Sequence, residues 1–126
     1  MRALVPFAAA FALASCAPQP VAQPNAAFAR ELAGYVAGPP QTCVTTQPAQ
    51  NLRAVDSSTI AYGYGRTIYV NHLPGECRGL SPFNTISTQG TSGEYCRGDQ
   101  VRATEPGAII PPAWCHFGEW VPYRQP

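Results

Sequence analysis

Hydrophobic and polar positions divide the chain into three textures. Ala3 to Ala14 is almost wholly apolar, carrying Leu4, Val5, Phe7, Phe11 and Leu13. Ala17 to Pro24 (APQPVAQP) is small, polar and proline-rich, a pattern that predicts a semi-rigid spacer rather than a packed element. From Asn25 onward the pattern becomes that of a folded domain. Phe28, Leu32 and Tyr35 fall at i, i+4 and i+7, so a helix with one apolar stripe is predicted over about 26–36. Asn25 is its N-cap, and Gly38 followed by Pro39-Pro40 is its stop.

After Thr42 the periodicity shortens. Thr59 to Tyr64 and Thr67 to Asn71 are rich in Ile, Val, Thr and Tyr, and Gly63 and Gly65 between them predict a hairpin. Ile68 and Val70 share one face of the second strand, with Thr67, Tyr69 and Asn71 on the other, an alternation that predicts one buried face. Asn84 to Thr88 is a further strand, followed by a polar loop over Gln89 to Gly93. Gly98-Asp99 turns the chain into Gln100 to Thr104. Pro106-Gly107 and Pro111-Pro112 bracket a loop whose Ile109 and Ile110 are expected to reach the core. Trp114 to Phe117 and Glu119 to Tyr123 read as a closing hairpin about Gly118. One helix followed by short strands predicts an α+β, mainly β domain. The helix packs on a small, curled antiparallel sheet or a partly open barrel.

The apolar run at the N-terminus has the length of a signal-peptide core and falls short of the roughly 20 residues of a membrane-spanning helix. It follows Arg2 and ends in Leu13-Ala14-Ser15-Cys16. These residues resemble the lipobox of bacterial lipoproteins, in which a bulky aliphatic residue and two small residues precede a lipid-accepting cysteine. The expectation is therefore a signal peptide over 1–15, lipidation of Cys16, a tether over 16–24 and one domain over 25–126. Ala12-Leu13-Ala14 also fits an A-x-A site that would release a soluble protein at Ser15, and a buried core helix is the third reading. In enterobacterial sorting an aspartate after the cysteine retains lipoproteins at the inner membrane. Ala17 stands there, which points to the outer membrane, facing the periplasm.

Composition narrows the partners. The full chain carries a formal charge of +1. Loss of Arg2 with the signal brings it to zero, and there is no lysine, so no electrostatic footprint for nucleic acid exists. Eleven of the thirteen aromatic residues lie beyond the apolar run, too many for a disordered segment. Four cysteines follow Cys16, namely Cys43, Cys77, Cys96 and Cys115. An even number in a small exported domain reads as two disulfides, with three connectivities open. Their spacing contains no C-x2-C knuckle of a zinc site.

No catalytic residue, metal-ligand set or cofactor site emerges. Arg97-Gly98-Asp99 reads as a turn between strands, and Gly63-x-Gly65 lacks the rest of a nucleotide fingerprint. His116 follows Cys115, but neighbours in a strand point to opposite faces. The carboxylates are scattered. Two classes of function stay open. One is a non-catalytic envelope module binding a protein, lipid or peptidoglycan partner, suggested by the aromatics Tyr62, Tyr64, Tyr69 and Trp120. The other is a small periplasmic ligand-binding or hydrolytic domain using His72 or His116 with a nearby acid.

Arg30-Glu31-Leu32-Ala33-Gly34, Cys43, Gly65-Arg66-Thr67-Ile68-Tyr69-Val70-Asn71, Cys96-Arg97-Gly98-Asp99 and Gly118-Glu119-Trp120-Val121-Pro122-Tyr123 follow one another in a characteristic order. This order resembles a family of small exported proteobacterial (lipo)proteins carrying a domain of unknown function, over about residues 28–124. The resemblance implies export and a compact domain, and carries over no catalytic residue. It also implies that Cys43 pairs with Cys96, leaving Cys77 with Cys115. Either bridge requires Cα atoms about 4.4–6.8 Å apart.

Overall fold

The computed structural model describes residues 25–126. The signal segment 1–15, Cys16 and the rest of the tether lie outside the described residues. Within them the domain is mainly β. A helix α1 (Ala26–Glu31) is followed by ten short strands. These are β1 (Val36–Ala37), β2 (Cys43–Thr45), β3 (Leu52–Asp56), β4 (Thr59–Tyr62), β5 (Thr67–His72), β6 (Thr85–Gln89), β7 (Glu94–Cys96), β8 (Gln100–Thr104), β9 (Cys115–His116) and β10 (Trp120–Arg124). They form three antiparallel sheets that do not close into a barrel: a five-stranded sheet ordered β1-β10-β5-β4-β3, the pair β2-β7, and a three-stranded sheet ordered β6-β8-β9.

The helix begins where expected. The Asn25 side chain accepts from the Ala27 amide and donates to the Val55 carbonyl. It ends sooner than predicted, because Gly34 takes a left-handed φ of 85° and turns the chain before the Gly38-Pro39-Pro40 stop. Six residues are too few for a stable isolated helix, so packing holds it. Phe28, with Leu32 and Tyr35 beside it, lies on Val55, Ala61, Ile68 and Val70 of the large sheet.

The opposite face of that sheet carries the main core. Ile60, Tyr62 and Trp120 meet Val44 of β2, Val101 and Ala103 of β8, and the connecting residues Leu73, Cys77, Leu80 and Phe117. Helix, large sheet and two small sheets are thus stacked as layers. The alternation along β5 is as expected, with Ile68 and Val70 toward the helix. The helix-side face of β5 is the buried one, as expected, while on the other face Asn71 is fully buried and Thr67 and Tyr69 are half-buried.

Two further expectations are corrected. The Trp114–Phe117 and Glu119–Tyr123 segments do not form a hairpin. Strand β9 pairs with β8, whereas β10 pairs with β5 and β1. The chain changes sheets at Gly118, and Asn71 fixes that crossing. Its amide donates to the Gly118 carbonyl at 2.8 Å, and its carbonyl accepts from the Gly118 amide at 2.8 Å. A methyl group at Gly118 would collide with the His72 carbonyl oxygen. Ile109 and Ile110 do not reach the core either. They are 95% and 85% exposed, because a turn from Glu105 to Ala108 and the Pro111-Pro112 pair carry them outward.

Two disulfides staple the domain, Cys43–Cys96 within the β2–β7 pair and Cys77–Cys115 between the loop after β5 and strand β9. The second has Cα atoms 5.9 Å apart, within the usual span. The first, at 4.0 Å, is closer than that span. Cys43 and Cys96 face each other across β2 and β7. The Arg97 amide bonds Thr42 and the Thr46 amide bonds Gly93, so the cysteines occupy a non-hydrogen-bonded pair, the position where strands approach most closely.

Candidate functional site

A cleft of about 430 Å³ opens between β2 with the loop after it and the β4–β5 hairpin. Tyr62 and Tyr69 come from facing positions of β4 and β5. Tyr62 is buried and forms the floor. Its hydroxyl accepts from the Gln47 amide at 2.7 Å, which draws the loop after β2 against the sheet. Gln41, Gln47 and Gln50 bring amide side chains to the walls, and Tyr64 and Arg66 stand on the exposed loop at the mouth.

That loop is braced from outside. The Arg53 guanidinium lies 4.2 Å from the Tyr64 ring centroid, donates to the Gly63 carbonyl at 2.8 Å and pairs with Glu31 of the helix. One arginine thereby ties helix, loop and ring together by charge and by cation–π attraction. On the other flank the Tyr35 hydroxyl donates to the Gly65 carbonyl at 2.6 Å. The Gln125 amide donates to the Arg66 carbonyl at 2.9 Å. The mouth is therefore held in place before any ligand arrives.

Chemically the lining is polar and close to neutral. Among the described residues, Arg66 is the one charged side chain in it, and no carboxylate contributes. The glutamines offer both donors and acceptors, and the tyrosines offer flat apolar faces with polar edges. Gln50 Oε1 is buried with no hydrogen-bond partner among the described residues. Behind the floor Tyr62 packs edge-on to Tyr95, ring centroids 5.3 Å apart. Burial, with Tyr62 beside it, pushes the Tyr95 phenol above its ordinary value of 10.0.

Of the four aromatic residues singled out in the sequence, the structure gathers Tyr62, Tyr64 and Tyr69 at this cleft. Trp120 is instead core, fully buried against Phe117. His72 and His116 are both exposed. His72 shares a shallow groove with Glu119, whose carboxylate pairs with Arg97, and His116 shares another with Glu76. Neither histidine hydrogen-bonds an acid among the described residues. The Arg97-Gly98-Asp99 turn is structural, for the Asp99 carboxylate accepts from the Cys96 amide at 2.9 Å and the Thr91 amide at 3.2 Å. Cys43, Cys96 and Glu94 lie close together, but sulfurs bonded to each other offer a metal no thiolate.

The glutamines, Arg53 and Arg66 were not singled out in the sequence. The only local signal is the presence of three glutamines between residues 41 and 50. Comparison with protein-family models, with curated proteins and with solved structures found no match to this chain.

Proposed function

We propose that this protein is an envelope lipoprotein, held by a lipid on Cys16 and facing the periplasm, whose domain is a non-catalytic binding module. The cleft is its binding site, and peptidoglycan is the partner whose chemistry fits best. The observation that carries the reading is the composition of the cleft among the described residues: three tyrosines, three glutamines and a single arginine, without a carboxylate. Sugar rings offer apolar faces to tyrosine and hydroxyl and acetamido groups to glutamine. The free carboxylates of the stem peptides suit a guanidinium, which grips them in bidentate fashion. The lipobox-like Leu13-Ala14-Ser15-Cys16 and the resemblance to exported proteobacterial proteins support the location, and two disulfides suit an oxidising compartment.

Co-sedimentation of the full chain with purified sacculi tests the proposal. The parent chain pellets and is displaced by soluble muropeptides. R66A and Y64A weaken pelleting by about tenfold each, the loss of one charged or stacking contact. Arg66 and Tyr64 are exposed, so both variants stay folded. A parent that stays in the supernatant, or variants that pellet as it does, would refute the assignment.

A further inference from the structure

Three of the most exposed large apolar side chains lie at one end of the domain. Phe83 is 87% exposed, Ile109 95% and Ile110 85%. Phe83 precedes β6 and the two isoleucines follow β8. Thr85 and Thr104 pair directly, so both loops leave the same end of the three-stranded sheet. Gly79 sits between them, bonded through its carbonyl to Asn84 on one side and close to Pro112 on the other. Residues 106–113 contain no charge. Arg78 and Glu105, both exposed, line the hollow beneath Ile110.

The start of the domain is at this end as well. Asn25 bonds Val55 at the end of β3, and Ser57 two residues later accepts from the Cys77 amide. Gly79 of the apolar end is two residues beyond Cys77. The nine residues from Cys16 to Asn25 can span at most roughly 30 Å. A tether of that length lets an anchor on Cys16 bring this end of the domain to a bilayer.

The geometry points to a second membrane contact: the tip formed by Phe83, Ile109 and Ile110 enters the headgroup boundary of the bilayer that holds the lipid anchor, with Arg78 toward lipid phosphates. This inference rests on the lipoprotein reading. Apolar loop tips gain by leaving water for the acyl boundary. Large apolar side chains left this exposed at one end of a sheet are what an interaction surface offers. Insertion fixes the orientation of the domain, with the cleft directed away from the membrane.

The test uses the full chain extracted from its own envelope. Mass spectrometry of the N-terminal peptide first reads whether Cys16 carries acyl chains, which decides the anchor by itself. The F83W variant is then reconstituted in vesicles of phosphatidylethanolamine and phosphatidylglycerol doped with brominated phosphatidylcholine. Bromolipid is expected to quench its emission about twofold more than that of the parent, whose Trp120 is fully buried and whose Trp114 stacks under Arg102. Adding I109S and I110S should weaken vesicle binding of a C16S chain about tenfold or more at millimolar lipid. Quenching no greater than the parent's overturns the inference even where Cys16 is acylated. So does a concentration-dependent dimer that I110S abolishes while F83W stays unquenched, which would assign the tip to a second copy. If Cys16 is unmodified the anchor fails, and quenching of the C16S, F83W chain at millimolar lipid still decides the tip.

Discussion

Replacing Asn71 by alanine should destabilise the domain more than any other single polar substitution in β5. The Asn71 side chain is fully buried and makes two 2.8 Å bonds to the backbone of Gly118, where the chain passes from one sheet to another. Each bond contributes about 1 kcal/mol net, but the larger effect is on what remains. Gly118 is half-buried, so its N–H and C=O, left without their partner, each cost toward the lower end of about 1–3 kcal/mol. Together with the small cavity, the expected loss is about 3–5 kcal/mol. That is a large share of the roughly 5–15 kcal/mol that holds such domains together. Urea unfolding followed by tryptophan fluorescence, with disulfides intact, measures it, and exposed Asn51→Ala serves as control. N71D sharpens the test. A carboxylate keeps the acceptor for the Gly118 amide but loses the donor to its carbonyl and buries a charge. Its folded pKa is raised, so the N71D protein regains stability as pH falls below neutral and the group protonates. An N71A loss below about 1 kcal/mol, or one equal to the control, would refute the argument.

The disulfides give a second expectation: removing either as a double alanine variant lowers stability by roughly 4 kcal/mol, given sequence separations of 53 and 38, read by thermal unfolding against the oxidised parent. Non-reducing peptide mapping should return Cys43–Cys96 and Cys77–Cys115 and no Cys77–Cys96 peptide. A third concerns pH. Because burial raises the Tyr95 phenol, the unfolded chain ionises first, so its contribution is complete below pH 10.0 and declines as pH rises through the folded value. The slope of stability above pH 10.0 should be shallower in Y95F; identical slopes would show that Tyr95 is not responsible.

How much of this was legible in the chain depended on how local the cause was. The β4–β5 hairpin and β8 were visible because alternation and turn residues sit within a few positions of one another. Strand β3 was not visible. Its pairing with β4 slips between Ala54 and Asp56, so Ala54 and Val55 are both buried and no two-residue period survives. Strands β2 and β7, three residues each, carry too little pattern to read, and a covalent bond holds their register. The false hairpin about Gly118 had the right local chemistry. What redirects the chain is Asn71, 47 residues earlier. For the cleft, the tyrosines were legible as aromatics. Their convergence with Gln47 and Arg66 arises from the folding of β2 over the sheet, which no local spacing records.

The two disulfides overlap along the chain: Cys77 lies inside the loop closed by Cys43 and Cys96, and Cys96 inside the loop closed by Cys77 and Cys115. A polypeptide emerges N-terminus first, so Cys43 and Cys77 are available to an oxidase before their native partners. Oxidation in order of appearance joins Cys43 to Cys77, and then Cys96 to Cys115. Neither bond belongs to the mature molecule. Correct maturation therefore requires either that oxidation waits until β7 has docked on β2, or that thiol–disulfide exchange rewires the early product. By the second route, the native yield of these interlaced bridges becomes a readout of thiol–disulfide exchange in the compartment where the chain matures.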